Sequence, residues 1–313
     1  MKTLFAASWS PAVLLVVVAC GAPSSAPPDN QGPPDAPSST AQDGANGATQ
    51  DSSPGGADGS AATAANDRCT DAQVIDLSTM HVDLAATTNG ATADLAAPCA
   101  TTTRADVFFK FTLTRRQLVY ADTFGASAPT ALFFATSCTT PITHATTDGD
   151  AVCSESACGT NQSQVAALLD PGTYYLILAG QGAATIHFQH LEVGSGSVSN
   201  LKPGANTVSG TTAGAGTLYT CDAGGPENAY WWRTCPGDTG GAFTGSTCTG
   251  TSFDTILSLQ IPSTETVMCD DDTCSFQSSV SGAIPAGAGL FAIAVDGFSS
   301  AKHGTYTLSI ARP

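Results

Sequence analysis

The chain has 313 residues, of which 26 are acidic and 10 are basic, so its formal net charge at pH 7 is −16. Such an acidic chain repels the phosphates of nucleic acids, which excludes nucleic acid as a partner and leaves cations compatible with the charge. The length is sufficient for two small domains with cores of their own.

Residues 1–19 read as an export signal, with an apolar run over 13–18 that leads to the sequence Val17-Val-Ala-Cys20. This sequence resembles a bacterial lipobox, although Val17 stands where that motif prefers Leu. The resemblance implies that Cys20 is lipidated and anchors the protein to a membrane, and Gly21 after it resembles the pattern sent to an outer membrane. The predicted location is therefore the cell envelope, at the outer membrane or cell surface. Two alternatives are an ordinary cleaved signal peptide and an uncleaved anchor, the latter disfavoured by the short apolar run.

Residues 20–66 form a low-complexity tract that is rich in Ala, Pro, Ser, Gly and Asp and has no aromatic side chain. A tract of this kind cannot bury enough apolar surface to offset the entropy of ordering it. We therefore expect a disordered linker that holds the remaining residues away from the membrane.

Eleven cysteines behind an export signal indicate an oxidising compartment, and setting aside Cys20 leaves an even number for disulfide bonds. The spacing lacks paired Cys-x-x-Cys units, which argues against a zinc site. The cysteines predicted to form disulfides are Cys69, Cys99, Cys138, Cys153, Cys158, Cys221, Cys235, Cys248, Cys269 and Cys274.

Two pairing schemes stay open at this point. The first closes both Cys-x-x-x-x-Cys loops and pairs Cys153 with Cys158, Cys269 with Cys274, Cys235 with Cys248 and Cys69 with Cys99. It leaves Cys138 and Cys221 to join two domains. The second pairs Cys138 with Cys153 and Cys221 with Cys248, and leaves Cys158 and Cys235 over.

A motif occurs twice in the chain and indicates a duplication. Cys153-Ser-Glu-Ser-Ala-Cys158 followed by Gln162-Ser163 returns as Cys269-Asp-Asp-Asp-Thr-Cys274 followed by Gln277-Ser278. Short runs rich in β-branched and aromatic residues surround both copies, set off by Gly, Pro, Thr and Asp, and no stretch keeps a helical period. The sequence predicts an all-β chain with two tandem antiparallel jelly-roll-like β-sandwich domains, at 67–194 and 203–313, joined by a linker at 195–202.

The second copy resembles the bacterial pre-peptidase C-terminal (PPC) domain. The resemblance rests on Phe253-Asp-Thr-Ile-Leu257, Cys269-Asp-Asp-Asp272, Gln277-Ser278, Asp296-Gly-Phe298 and Gly304-Thr-Tyr-Thr-Leu308. The first copy departs from this pattern, with Ser-Glu-Ser in place of the acidic triplet, but it keeps Asp170-Pro-Gly-Thr-Tyr-Tyr175. The resemblance implies a jelly-roll-like sandwich with a non-catalytic role such as substrate adhesion.

The acidic triplet of the second copy is the sharpest chemical feature of the chain. Asp270, Asp271 and Asp272 repel one another, and carboxylate oxygens are the ligands that a hard cation such as Ca²⁺ prefers. The family's layout implies that Asp254 and Asp296 lie near them and complete a calcium site. The alternative is a solvated turn without an ion.

Other candidates are weaker. His187 and His190 lie three apart on a predicted strand and should face opposite sides, so they do not make a metal pair, and His81 stands alone. Tyr230-Trp231-Trp232 could offer a ring to a sugar, but at least alternate rings should belong to the core. The chain carries no nucleophile elbow and no metalloprotease motif, so we expect no enzyme activity.

Three functions follow from these observations. The preferred one is a surface-displayed lipoprotein that binds extracellular polysaccharide or protein, with Ca²⁺ ordering a loop. The second is a structural or accessory spacer subunit of a cell-envelope complex. The third is an unrecognised secreted hydrolase.

Overall fold

A computed structural model describes residues 64–144, 149–204, 206–214, 216, 220–222 and 224–313. The predicted signal peptide, Cys20 and the predicted linker up to residue 63 lie outside the described residues. Within the described residues, no helix combines the length and apolar character needed to cross a bilayer. All the described residues belong to one compact unit.

The first sandwich consists of two sheets. In its described part the strands are β1 (Gln73–Val74), β2 (His81–Thr87), β3 (Ala105–Leu113), β4 (Gln117–Asp122), β5 (Thr130–Ser137), β6 (Thr140–Pro141), β7 (Cys153–Ser154), β8 (Gln164–Leu169), β9 (Gly172–Gly180) and β10 (Ala183–Glu192). One sheet has the order β1-β3-β9-β5-β6, with β7 also paired to β5, and the other has the order β2-β10-β4-β8.

The second sandwich repeats this plan. Its described strands are β11 (Val198–Asn200), β12 (Thr207–Thr211), β13 (Asn228–Thr234), β14 (Gly241–Ser246), β15 (Thr255–Ile261), β16 (Thr266–Asp271), β17 (Ser279–Ile284), β18 (Gly289–Gly297) and β19 (Thr305–Ala311). The sheet orders are β11-β13-β18-β15-β16 and β12-β19-β14-β17. Pairing is antiparallel except for the parallel pairs β1/β3 and β11/β13. The predicted all-β fold with two tandem sandwiches is therefore confirmed, and each sandwich has the same strand order.

Residues 195–202, which the sequence predicts as a linker, contain strand β11 and contribute to the edge of the second sandwich. The backbone of β11 pairs with β13, and Leu201 donates a further hydrogen bond to the carbonyl of Trp231. The Ser195 amide donates to the Glu227 carboxylate at 2.5 Å. The connection between the two sandwiches is thus short and tied to the second one.

Four apolar cores lie in the described part of the molecule. One fills the first sandwich, a second fills the second sandwich, and the third lies between them. The fourth covers the outer face of sheet β1-β3-β9-β5-β6, around Phe108, Phe133 and Ile177. The third core joins the outer faces of sheets β2-β10-β4-β8 and β11-β13-β18-β15-β16, through Leu118, Tyr120, Ala166, Leu168, Leu191, Val193, Ala229, Trp231, Leu290, Ala292 and Ala294. Strands β4, β8 and β18 are buried along their whole length because both faces of their sheets are covered.

The disulfide bonds correct both pairing schemes. All ten predicted cysteines are bonded, but the pairs are Cys69–Cys138, Cys99–Cys153, Cys158–Cys235, Cys221–Cys269 and Cys248–Cys274. All four pairs of the first scheme are wrong, and its two loops do not close because each cysteine of a loop reaches a different neighbour. Cys138 and Cys221, which that scheme left to join the domains, each bond within their own sandwich. The second scheme is wrong in its two named pairs, although the two cysteines it left over, Cys158 and Cys235, bond to each other and link the sandwiches.

Candidate functional site

The repeated Gln-Ser pair holds the same structural position in both sandwiches. The Ser163 hydroxyl is fully buried and donates to the carbonyl of Thr130 at 2.7 Å, while its amide donates to the hydroxyls of Thr123 and Thr130. Ser278 repeats this arrangement with Thr247 and Thr255. The motif therefore ties the start of β5 or β15 to the start of β8 or β17.

The acidic triplet of the second sandwich lies where β16 ends. Ile256 on β15 pairs with Asp271, so the residue just before β15, Asp254, comes close to the end of β16. Asp272 takes the left-handed conformation, with a φ of 65°, and turns the chain away from the sheet. One carboxylate oxygen from each of Asp254, Asp271 and Asp272 lies within 4.8 Å of the other two.

These three carboxylates differ in environment. Asp254 is buried, and its Oδ1 atom has no hydrogen-bond partner within the described residues. Its Oδ2 lies 3.5 Å from the Nζ atom of Lys302. Asp271 and Asp272 are exposed. Partial burial, and then the negative charges of Asp272, Asp254 and Asp270, raises the pKa of Asp271 above its ordinary value. The cluster thus offers an uncompensated buried oxygen and excess negative charge, both of which suit a cation.

The other two predicted calcium ligands lie elsewhere. The Oδ1 of Asp270 accepts from the Thr273 hydroxyl at 2.6 Å, and its Oδ2 accepts from the Ser279 amide at 2.6 Å, so this side chain holds the turn. Asp296 pairs with Ile256 in the sheet, which places a whole strand between it and β16. Burial, and then the charge of Glu227, raises the pKa of Asp296 to about 8. The structure therefore brings together three of the five predicted ligands.

The aromatic run Tyr230-Trp231-Trp232 is unavailable to a sugar. Tyr230 and Trp232 belong to the core of the second sandwich, and Trp231 lies fully buried between the sandwiches. The prediction that at least alternate rings are core understated the burial, because both faces of this sheet are covered.

The histidines are arranged differently from the sequence prediction in one respect. His190 is buried beside Phe188 and contacts Gln117 and the carbonyl of Thr79, and burial lowers its pKa. His190 therefore lies apart from His187, in agreement with the prediction that the two make no metal pair. His81 does not stand alone, however, because Asp83 lies between it and His187. The signal for this grouping is the pairing of β2 with β10, which spacing along the chain does not reveal.

One family comparison is informative for the first sandwich. Residues 65–193 match a family model that is described as galactose binding domain-like and labelled as T9SS-associated. No curated protein matches the sequence. The matched residues cover the first sandwich from its entry to the end of β10 and make up less than half of the chain. The match supports a β-sandwich family other than the PPC family that the sequence resemblance implied.

Proposed function

We propose that this chain is a non-catalytic binding module of the cell envelope that engages extracellular polysaccharide. The observation that carries the proposal is the match of the first sandwich to a galactose binding domain-like family. The T9SS association of that family supports a place at the envelope or surface. Lipidation of Cys20 would supply the membrane anchor, and the low-complexity tract would supply the reach.

The environment of the repeated serines supports a non-catalytic role. Ser163 and Ser278 are fully buried, and each hydroxyl is held by a backbone carbonyl. A nucleophile needs access to its substrate and a neighbouring base, and neither serine has an exposed side. The serine of the duplicated Gln-Ser motif therefore stabilises each sandwich rather than reacting with a substrate.

A binding assay tests this function directly. The Cys20→Ser chain would be probed on an array of galactose-containing and other polysaccharides and on extracellular matrix proteins, with and without Ca²⁺. We expect retention on at least one polysaccharide. Binding to matrix proteins alone would replace the polysaccharide with a protein partner, and no binding under any condition would favour the spacer subunit.

The anchor has a separate test. Cells would express the unchanged chain and the Cys20→Ser variant, and the membrane and soluble fractions would be compared. We expect the variant to leave the membrane fraction. Equal retention of both proteins would contradict a lipid anchor at Cys20.

Calcium is part of the same proposal. Asp254, Asp271 and Asp272 would bind the ion, which would satisfy the buried Oδ1 of Asp254 and relieve the repulsion at the end of β16. Lys302 competes for the same site, because its ammonium lies beside the other oxygen of Asp254. A Lys302→Gln variant should therefore bind Ca²⁺ more tightly than the unchanged chain.

Thermal unfolding measures this binding. At a Ca²⁺ concentration 100 times the dissociation constant, the unchanged chain should gain about 2.7 kcal/mol in its free energy of unfolding. The gain should vanish in Asp254→Asn and persist in Asp170→Asn, a matched control whose side chain is 80% exposed in the first sandwich. An unchanged melting temperature in the unmodified chain would rule out the calcium site.

A further inference from the structure

A second cluster of potential metal ligands lies on the first sandwich, and unlike the acidic triplet it contains two histidines. His81 and Asp83 lie two residues apart on β2, so the alternation of a strand places both side chains on one face of the sheet. His187 on β10 is the direct cross-strand partner of Asp83. Directly opposed side chains in an antiparallel pair lie close enough to interact.

The three side chains converge on one oxygen atom. Asp83 Oδ1 lies 3.1 Å from Nε2 of His81 and 2.7 Å from Nδ1 of His187. One ligand atom from each residue lies within 4.8 Å of those of the other two. Ligands of a tetrahedral zinc ion stand about 3.3 Å apart, since each lies about 2.0–2.2 Å from the metal. Small side-chain rotations would therefore open the space for an ion.

The ligand types select a class of metal. Two imidazoles and one carboxylate suit zinc, copper or nickel, whereas Ca²⁺ and Mg²⁺ prefer oxygen ligands alone. The side chains are accessible, with exposed fractions of 27% for His81, 54% for Asp83 and 34% for His187. They can therefore receive an ion from solvent and adjust to it.

A cleft beside the cluster leaves room for a fourth ligand. It measures about 330 Å³, and both histidines line it together with Asp122 of the first sandwich and Pro236, Ser263 and Gly287 of the second. The oxygens of Asp122 are engaged, since they accept from the Tyr120 hydroxyl at 2.7 Å and the Phe124 amide at 2.9 Å. The fourth position thus falls to water or to a donor atom of a molecule in the cleft.

The cluster also lies beside a contact between the two sandwiches. Glu265 accepts hydrogen bonds from the amides of Met80 and His81, at 2.9 and 2.8 Å, where β2 begins. An ion bound to His81 would fix the same end of this edge strand to its neighbour β10. Metal binding would therefore strengthen the strand through which Glu265 connects the two sandwiches.

We propose that His81, Asp83 and His187 form a binding site for a divalent transition-metal ion, with zinc as the first candidate, at the seam between the two sandwiches. The site is independent of the proposed polysaccharide and calcium binding. The alternative is that these three groups only form a hydrogen-bonded His-Asp-His set and bind no ion. An experiment must distinguish that arrangement from a metal site.

Calorimetric titration of the metal-stripped Cys20→Ser chain with Zn²⁺ at pH 7.5 tests the site. The other ten cysteines are in disulfides, so no thiol competes for zinc. We expect one zinc ion per chain, and an affinity at least tenfold lower in both His81→Gln and His187→Gln. His303→Gln, a matched control at an exposed histidine of the second sandwich, should bind as the unchanged chain does.

Two further measurements complete the test. Near-ultraviolet circular dichroism, which reports the buried Trp231, would confirm that each variant is folded before titration. The Asp254→Asn variant should keep its zinc binding, which separates this site from the acidic triplet. Absence of zinc binding by the unchanged chain, or equal binding by folded His81→Gln and His187→Gln variants, would overturn the proposal.

Discussion

Removal of the Cys158–Cys235 bond is the perturbation that tests how the two sandwiches hold together. This bond is the disulfide that crosses between them among the five in the described residues. Beside it, the side-chain Nε2 of Gln164 donates to the carbonyl of Thr234 at 2.7 Å, and the third apolar core lies underneath. A double variant, Cys158→Ser with Cys235→Ser, removes the covalent link and leaves these contacts in place.

The size of the effect follows from the length of the loop. The bonded cysteines are 77 residues apart, and closing a loop of that length in the unfolded chain corresponds to about 4.5 kcal/mol at 25 °C on the chain-entropy model. The Cys69–Cys138 bond closes a loop of 69 residues within the first sandwich, which gives about 4.4 kcal/mol on the same model. The two bonds should therefore stabilise the protein almost equally, although one of them joins two domains.

Guanidinium unfolding without reductant, followed by far-ultraviolet circular dichroism, which reports the strands of both sandwiches, measures this comparison. Both double variants should lose up to about 4.5 kcal/mol in the free energy of unfolding, within about 1 kcal/mol of each other. Each should still unfold in a single transition, because the apolar core between the sandwiches couples them. Two separate transitions in the Cys158→Ser, Cys235→Ser protein would refute the reasoning, since they would mean that the bond rather than the core joins the sandwiches.

Three other predictions concern buried groups. Ser163→Ala and Ser278→Ala should each lower the free energy of unfolding by about 1–3 kcal/mol in denaturant titrations, because each leaves buried partners unsatisfied, and a neutral result at either site would contradict the shared role. Trp231→Ala should cost about 3–5 kcal/mol by the same measurement, since the ring fills the core between the sandwiches, and a loss below 1 kcal/mol would disprove that packing. Asp296 has a folded-state pKa of about 8 against 3.8 for the free side chain, so its contribution to stability is present below pH 4 and is lost as the pH rises through 8. Between pH 4 and pH 9, the free energy of unfolding of Asp296→Asn should therefore rise relative to that of the unchanged chain by several kcal/mol, of the order of 5, as measured by thermal unfolding. A difference between the two proteins that stays constant with pH would argue against this pKa.

The all-β fold could be predicted from the sequence because strands have a recognisable local pattern of residue types. Short runs rich in β-branched and aromatic residues, interrupted by glycine and proline, predict an all-β chain, and the duplicated motif predicts a second copy of whatever the first copy forms. Burial on the outer faces was not accessible in this way. Strands such as β4, β8 and β18 are apolar on both faces, but a continuous apolar run does not say what covers its second face.

Contacts between distant strands explain what the sequence could not predict about the candidate sites. The acids of the triplet are adjacent in sequence, yet Asp270 turns inward to hold the Ser279 amide while Asp271 faces outward, as neighbours on a strand must. The pairing of His187 with Asp83 joins residues 104 positions apart. Only the register of β2 against β10 decides that His81, rather than His190, lies near His187.

The duplicated cysteine loop shows how the two copies came to differ in what they can bind. Its first cysteine makes the same bond in both sandwiches, to the cysteine that precedes the aromatic strand, as Cys99–Cys153 and Cys221–Cys269. Its second cysteine bonds within the second sandwich, to Cys248, but in the first sandwich it crosses to the other domain.

The charges of the two loops also differ, and they decide which loop suits a cation. In the first loop the acid at the centre, Glu155, pairs with Arg104, and the loop is fastened against the second sandwich by its disulfide. In the second loop Asp271 and Asp272 are exposed, and the nearby ring of Phe276 is 62% exposed under the ammonium of Lys302. The acid of the first loop is already paired, whereas among the described residues the acids of the second loop are not, so a cation at a cysteine loop should bind to the second sandwich. A calcium-dependent stabilisation that survived Asp254→Asn but was lost on a substitution at Glu155 would reverse this assignment.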